Sequence, residues 1–295
     1  MASTGEAPGC FGKLPAFGDF VRGDAHVPEL AQLDAWVEPG LYRAQRQLGD
    51  GFAARWQQLP PLRFVFCPDG AERALTGWLI ASRDAAGRRY PLLLAVRQAR
   101  GDVRSLPLRS SAFAAAARRC VEGGFPGLDP VGVTAAVHAL PGLTDGSHQR
   151  AFADAPSAAA WQGCPAPAAV LHELAAATAN AAPPRYALRW PSRGDDVDAA
   201  FWLEVVMQLG GRCPRLLLWH AAVDRAPGAM RLSLGPLEPS TFPGMVFHEL
   251  DDDGAYDLGR ATNGSEIVAA QRFDAVARTA NQAEALRALS AGSRR

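Results

Sequence analysis

The densest run of potential oxygen ligands is Glu249, Asp251, Asp252 and Asp253, followed by Gly254. Hard cations need several converging oxygens, and an EF-hand loop starting at Glu249 would place Gly254 at its sixth position. Its twelfth position falls on Arg260, where a bidentate glutamate is required, and Glu249 replaces the aspartate of the first position. The run therefore reads as a solvated acidic turn. The alternative is a metal-dependent hydrolase or phosphatase using Glu249, Asp251 and Asp253 with His248. Other catalytic signatures are missing. Gly12-Lys13 lacks the upstream glycine and following Ser/Thr of a phosphate-binding loop, and neither a G-x-S-x-G elbow nor an H-E-x-x-H helix occurs. His172-Glu173 has no second histidine at helical spacing. The expectation is a protein that is not an enzyme and needs no cofactor or metal.

Two stretches look specified rather than filled in. Gly12 to Arg22 crowds two glycines, Pro15 and the charges of Lys13, Asp19 and Arg22 between aromatics. The glycines permit positive φ or close backbone approach, and the three charges could pair across the turn. Ser82 to Leu92 reads as a turn between two buried strands, with Asp84 and Arg88 placed to reach each other across Gly87. Both are turn chemistry, but loops on a rigid sheet also carry recognition residues.

The elements that would hold these loops follow from apolar periodicity. Pro28 to Leu48 has helical spacing, and Pro39-Gly40 predicts two segments or a sharp kink there. Phe52 to Gln58 is a further short helix. Leu62 to Cys67, Leu75 to Ser82 and Tyr90 to Arg97 predict an antiparallel meander, whose last run is apolar without alternation, as in a strand covered on both faces. Ser110 to Val121 is an Ala-rich covering helix. Residues 141–183 are an Ala/Pro/Gly-biased connector enclosing a helix at 168–178. Beyond it come a strand at 186–190, a buried helix at 196–209 ended by Gly210-Gly211, and strands at 215–220 and 230–234. The tail from Ser265 is a weak amphipath. The expected organisation is residues 10–140, a second half at 141–262 sharing the same sheet, and a helical tail at 263–295.

Composition excludes several classes. The 295 residues carry Lys+Arg 30 against Asp+Glu 30, so no net field attracts nucleic acid or anionic lipid. Lys13 is the sole lysine. Cys10, Cys67, Cys120, Cys164 and Cys213 form no Cys-x-x-Cys and suggest thiols of a reducing compartment. With neither a signal-like start nor an apolar run long enough to span a bilayer, a cytoplasmic location without membrane insertion is expected.

The two specified stretches resemble those of the TagF/ImpM family of type VI secretion accessory proteins. Gly12, Lys13, Leu14, Pro15, Gly18, Asp19 and Phe20 match its opening motif G-K-L-P-x-x-G-D-F. Ser82, Asp84, Gly87, Arg88, Tyr90, Pro91 and Leu92 match its second motif, P-S-x-D-x-V-G-R-x-[FY]-P-L. Weaker similarity, through Arg189-Trp190-Pro191, Phe201-Trp202-Leu203 and Pro214 to Trp219, extends it to about Leu258. Ala81, Ala86 and Phe17 depart from the family pattern. The resemblance implies an α/β/α sandwich with a largely antiparallel central sheet and a longin-like N-terminal part. It also implies a cytoplasmic post-translational repressor that binds a forkhead-associated (FHA) scaffold protein of the secretion system. Candidate interaction or motif residues are Gly12, Lys13, Pro15, Gly18, Asp19, Arg22, Ser82, Asp84, Gly87 and Arg88. Their charges either contact the partner or hold the N-terminal segment on the sheet.

Overall fold

The computed structural model describes residues 7–23, 28–125, 127–144, 164, 167–179, 187–223, 227–247, 250 and 255–258. Residues 263–295, most of the 141–183 connector outside its helix, and the acidic residues Glu249 and Asp251 to Asp253 with His248 lie outside the described residues.

Among the described residues nine strands form one sheet: β1 (Gly9–Gly12), β2 (Val21–Gly23), β3 (Leu62–Phe66), β4 (Arg73–Ile80), β5 (Leu92–Ala99), β6 (Ala187–Pro191), β7 (Leu216–His220), β8 (Ala229–Ser233) and β9 (Ala255–Asp257). Their order is β2-β1-β5-β4-β3-β7-β8-β6-β9. Every pairing is antiparallel except β6 with β9. The expected meander is present as β3-β4-β5. β3 also pairs with β7, Phe64 opposite Leu218 and Phe66 opposite Leu216, so strands from both halves of the chain share the sheet.

Side chains alternate across the sheet, as the two-residue period of a strand requires. In β5, Leu93 and Ala95 face one core while Leu92, Leu94 and Val96 face the other. The first core lies under α1 (Pro28–Leu48), α2 (Phe52–Gln58) and α8 (Thr241–Val246). The second lies under α3 (Leu106–Arg109), α4 (Ser111–Glu122), α5 (Pro130–His138), α6 (Pro167–Ala179) and α7 (Asp196–Gly210). The architecture is thus an α/β/α sandwich with a largely antiparallel sheet.

The helix α1 corrects the expected break, because it runs unbroken through Pro39. Pro39 is exposed, so the carbonyl it leaves without an N–H partner faces water, while Gly40 lies on the buried side. A Cβ at Gly40 would come within 2.3 Å of Phe242 Cβ, so glycine here lets α8 approach. Leu33, Trp36, Val37 and Ala44 supply the apolar stripe, each large side chain contributing roughly 1.5–3 kcal/mol by burial. The Trp36 indole N–H donates to Thr241 Oγ1 at 3.1 Å, which spares a buried donor. At the far end, Asp195 caps α7 by accepting from the Asp198 N–H at 2.8 Å, and Gly211 ends it at φ +62°.

The stretch before α1, read from sequence as turn chemistry alone, carries two short strands. It is a hairpin, β1 and β2, added to the β5 side of the sheet. Gly12 ends β1 at φ +139°, and a Cβ there would come within 2.1 Å of the Pro91 carbonyl oxygen. Only glycine lets the hairpin lie this close to the start of β5.

Candidate functional site

The hairpin places the two specified loops side by side. Ser82 Oγ donates to the Lys13 carbonyl at 2.6 Å, Ala85 N–H to the Phe17 carbonyl at 2.8 Å, and Arg88 Nη2 to the Gly18 carbonyl at 2.7 Å. Within the second loop, Asp84 N–H donates to the Arg88 carbonyl at 3.0 Å and Gly87 N–H to the Asp84 carbonyl at 2.9 Å. Gly87 takes φ +81°, the left-handed conformation this turn requires. From α2, the Trp56 indole N–H donates to the Ser82 carbonyl at 2.8 Å.

At the centre is Asp84, 2% exposed. Its Oδ1 accepts the Arg88 N–H at 2.8 Å, and its Oδ2 takes both Lys13 Nζ at 3.0 Å and Arg88 Nε at 2.7 Å. Burial works to raise its carboxyl pKa, but the hydrogen bonds from Lys13 and from the Arg88 backbone and side chain outweigh it. The group is held well below the usual carboxylate range. Lys13 is buried as well. Phe20 packs against Phe11 and Tyr90, with Lys13 Nζ 5.1 Å from its ring centroid. The Tyr90 hydroxyl donates to Asp34 on α1, and burial followed by that contact pushes its phenol pKa up.

This arrangement corrects the expected pairing of Lys13, Asp19 and Arg22 within their own turn. Lys13 is drawn to Asp84, since a buried ammonium needs a carboxylate and Asp19 is on the solvent side. Asp19 accepts from the next N–H, that of Phe20, at 2.7 Å. Arg22 lies over Phe11 and Phe20, its guanidinium carbon 5.8 and 5.5 Å from their centroids. The ten candidate residues therefore divide. Gly12, Lys13, Ser82, Asp84 and Gly87 build the junction, whereas Pro15, Gly18, Asp19, Arg22 and Arg88 are exposed along it.

A second cluster was missed by sequence reasoning. Arg63, within the apolar run of β3, is 5% exposed and lies between Trp78 and Trp219, 5.2 Å from each ring. It donates to Asp196 Oδ2 at 3.0 Å and to Ser110 Oγ at 2.6 Å. Asp196 also accepts from Ser111 Oγ at 2.7 Å and the Trp219 indole at 3.2 Å. These groups floor an open cleft of 720 Å³ between α4 and the start of α7. The one legible signal was a single arginine inside a strand otherwise buried on both faces.

Asp198, in the first turn of α7, titrates in an accessible range. Burial dominates and raises its pKa to about 6, against the pull of the Gly194 N–H at 3.0 Å. The folded protein thus holds a proton that the unfolded chain has already lost. That stability is complete below about pH 3.8 and disappears as pH rises through 6. In urea denaturation, wild type is expected to lose about 2 kcal/mol between pH 4 and 6 relative to Asp198→Asn. Parallel pH profiles for the two proteins would contradict this.

Among the described residues, no group of three His, Cys, Asp or Glu side chains is placed to hold a metal ion. No described helix is long and apolar enough to cross a membrane.

The fold is shared with a solved protein. The crystal structure of PA0076 from Pseudomonas aeruginosa PAO1 superposes with a TM-score of 0.53, covering 83% of this chain and 96% of that one at 19% identity. No curated protein sequence matches the chain. Residues 9–138, which contain both loops and their junction, match the family model of the TagF N-terminal domain, type VI secretion system-associated. This N-terminal portion is therefore similar to the TagF N-terminal domain of type VI secretion system-associated proteins.

Proposed function

We propose that this protein is a cytoplasmic, non-catalytic regulator that represses type VI secretion after translation by binding an FHA-domain scaffold component. The observation that carries the reading is the locked junction inside the family-matched region. Lys13 and Asp84 are paired internally, which leaves Asp19 and Arg22 exposed beside Arg88, whose side chain also bonds Asp84 and the Gly18 carbonyl. A preorganised charged ledge gives partner choice and orientation at little ordering cost.

The test is co-purification from a host carrying the secretion cluster, followed by titration of the retained FHA-domain protein. Asp19→Lys and Arg22→Glu are expected to weaken binding at least about tenfold, roughly 1.4 kcal/mol, with unchanged melting temperatures. Failure to retain any FHA-domain protein, or full affinity in both variants, overturns the proposal. Charge reversal at Arg88 tests both of its contacts: lower melting temperature without selective loss of binding assigns it to the junction alone.

A further inference from the structure

None of the five cysteines is in a disulfide, yet two of them are neighbours across the seam between β3 and β7. Cys67 directly follows β3 and is 1% exposed, whereas Cys213 lies on the approach to β7 and is partly exposed. The ladder that pairs Phe66 with Leu216 continues one step further. Cys67 N–H donates to the Arg215 carbonyl at 2.9 Å, and Arg215 Nη1 returns a bond to the Cys67 carbonyl at 2.9 Å. Positions 67 and 213 are therefore diagonal across one strand pair. Both side chains pack against the core beneath α4 and α7, Cys67 within it and Cys213 at its margin.

We propose that Cys67 and Cys213 form an oxidation site at which a hydroperoxide generates a disulfide, covalently closing the β3–β7 seam. Cys213, the more accessible thiol, attacks one peroxide oxygen as its thiolate. The O–O bond breaks, the sulfur gains a hydroxyl group, and the displaced hydroxide takes up the thiol's proton and leaves as water. The Cys67 sulfur then attacks the sulfenic sulfur, the S–O bond breaks, and the Cys67 proton departs with the hydroxyl as a second water. Two thiols and one hydrogen peroxide give one disulfide and two waters, the sulfurs being oxidised and the peroxide reduced. Contact with Cys213 and then burial raise the Cys67 thiol pKa, while Arg100 and Arg215 pull the other way. The raised pKa keeps Cys67 a thiol that does not attack peroxide itself, so in the second step its proton must pass to the leaving hydroxyl as the S–S bond forms. Bond closure brings the sulfurs to about 2.05 Å. Residues 211–215, outside any helix or strand, can supply that movement.

The experiment treats the full chain with one equivalent of hydrogen peroxide, alkylates the remaining thiols and digests with trypsin. The expected product is a cross-link between peptides 64–73 and 213–215, with the loss of two hydrogens from the intact mass. A rise in melting temperature of about 5 °C is expected with it, reversed by dithiothreitol. Cys67→Ser is expected to leave Cys213 as a sulfenic acid trapped by dimedone, and Cys213→Ser to abolish the cross-link. Because Cys213 is partly exposed, its variant keeps the proposal testable if Cys67→Ser fails to fold. Oxidation of Cys213 without linkage to Cys67, linkage only among Cys10, Cys120 and Cys164, or no oxidation at all would overturn the proposal.

Discussion

Asp84→Asn is expected to lower the melting temperature by about 10 °C, the largest effect of any single substitution along the two motif loops. The carboxylate accepts from Lys13 Nζ and from the Arg88 backbone and side chain. An asparagine amide would offer only one oxygen to these donors and would turn its NH₂ toward another of them. Lys13 would then keep a buried charge without its carboxylate, the costly half of a broken ion pair. Adding Lys13→Met to Asp84→Asn should recover part of the loss, because the orphaned charge goes with it. The pH dependence has the opposite sense to that of Asp198. A carboxylate held below its unfolded value stabilises the fold fully above about pH 3.8, and this contribution is lost as pH falls further. Wild type should therefore show an acid-dependent loss below pH 4 that Asp84→Asn lacks. Thermal melts of the two single variants and the double variant decide the matter. An Asp84→Asn protein melting within a degree or two of wild type would show that the junction is held by its backbone bonds alone.

Arg63→Ala is expected to cost about 4 kcal/mol in urea denaturation, and Arg63→Met about 2 kcal/mol. Alanine empties the space between Trp78 and Trp219 and removes the cation opposite Asp196, whereas methionine refills much of the volume. Burial lowers the Arg63 pKa while Asp196 opposes that fall, so the carboxylate offsets part of the cost of burying a charge the guanidinium keeps. Lysine is not an equivalent replacement. Its ammonium cannot stack between two indoles while also reaching Asp196 and Ser110 in the guanidinium's fork. A loss below 1 kcal/mol in Arg63→Ala would remove this cluster from the interactions that join β3 to α7.

The difference between these two sites in legibility is physical. Strand β5 and helix α7 are visible in the sequence because their apolar runs are local and unbroken by turn residues. The hairpin of β1 and β2 is three or four residues a side and contains glycines, and its main partner is β5, far along the chain. Nothing local marks it as sheet. The Asp84–Arg88 contact is four residues wide and could be read from spacing. The Lys13–Asp84 pair spans about seventy residues and could not, so the sequence suggests partners for Lys13 only within its own turn. Pro39 misleads for a related reason: the break it predicts depends on which face of α1 it occupies, and that is set by α8.

The pairing of β3 with β7 has a consequence for how the chain matures. Phe64 and Phe66 meet Leu218 and Leu216 only after about 150 further residues have been synthesised. Until then, β3 is the unfinished margin of a growing sheet, with unpaired N–H and C=O groups flanked by buried-type side chains, the arrangement that recruits foreign strands. A fragment ending near residue 138 would carry the complete TagF N-terminal match and still expose that margin. What nascent β3 awaits is a partner strand encoded in the distal half of the same chain.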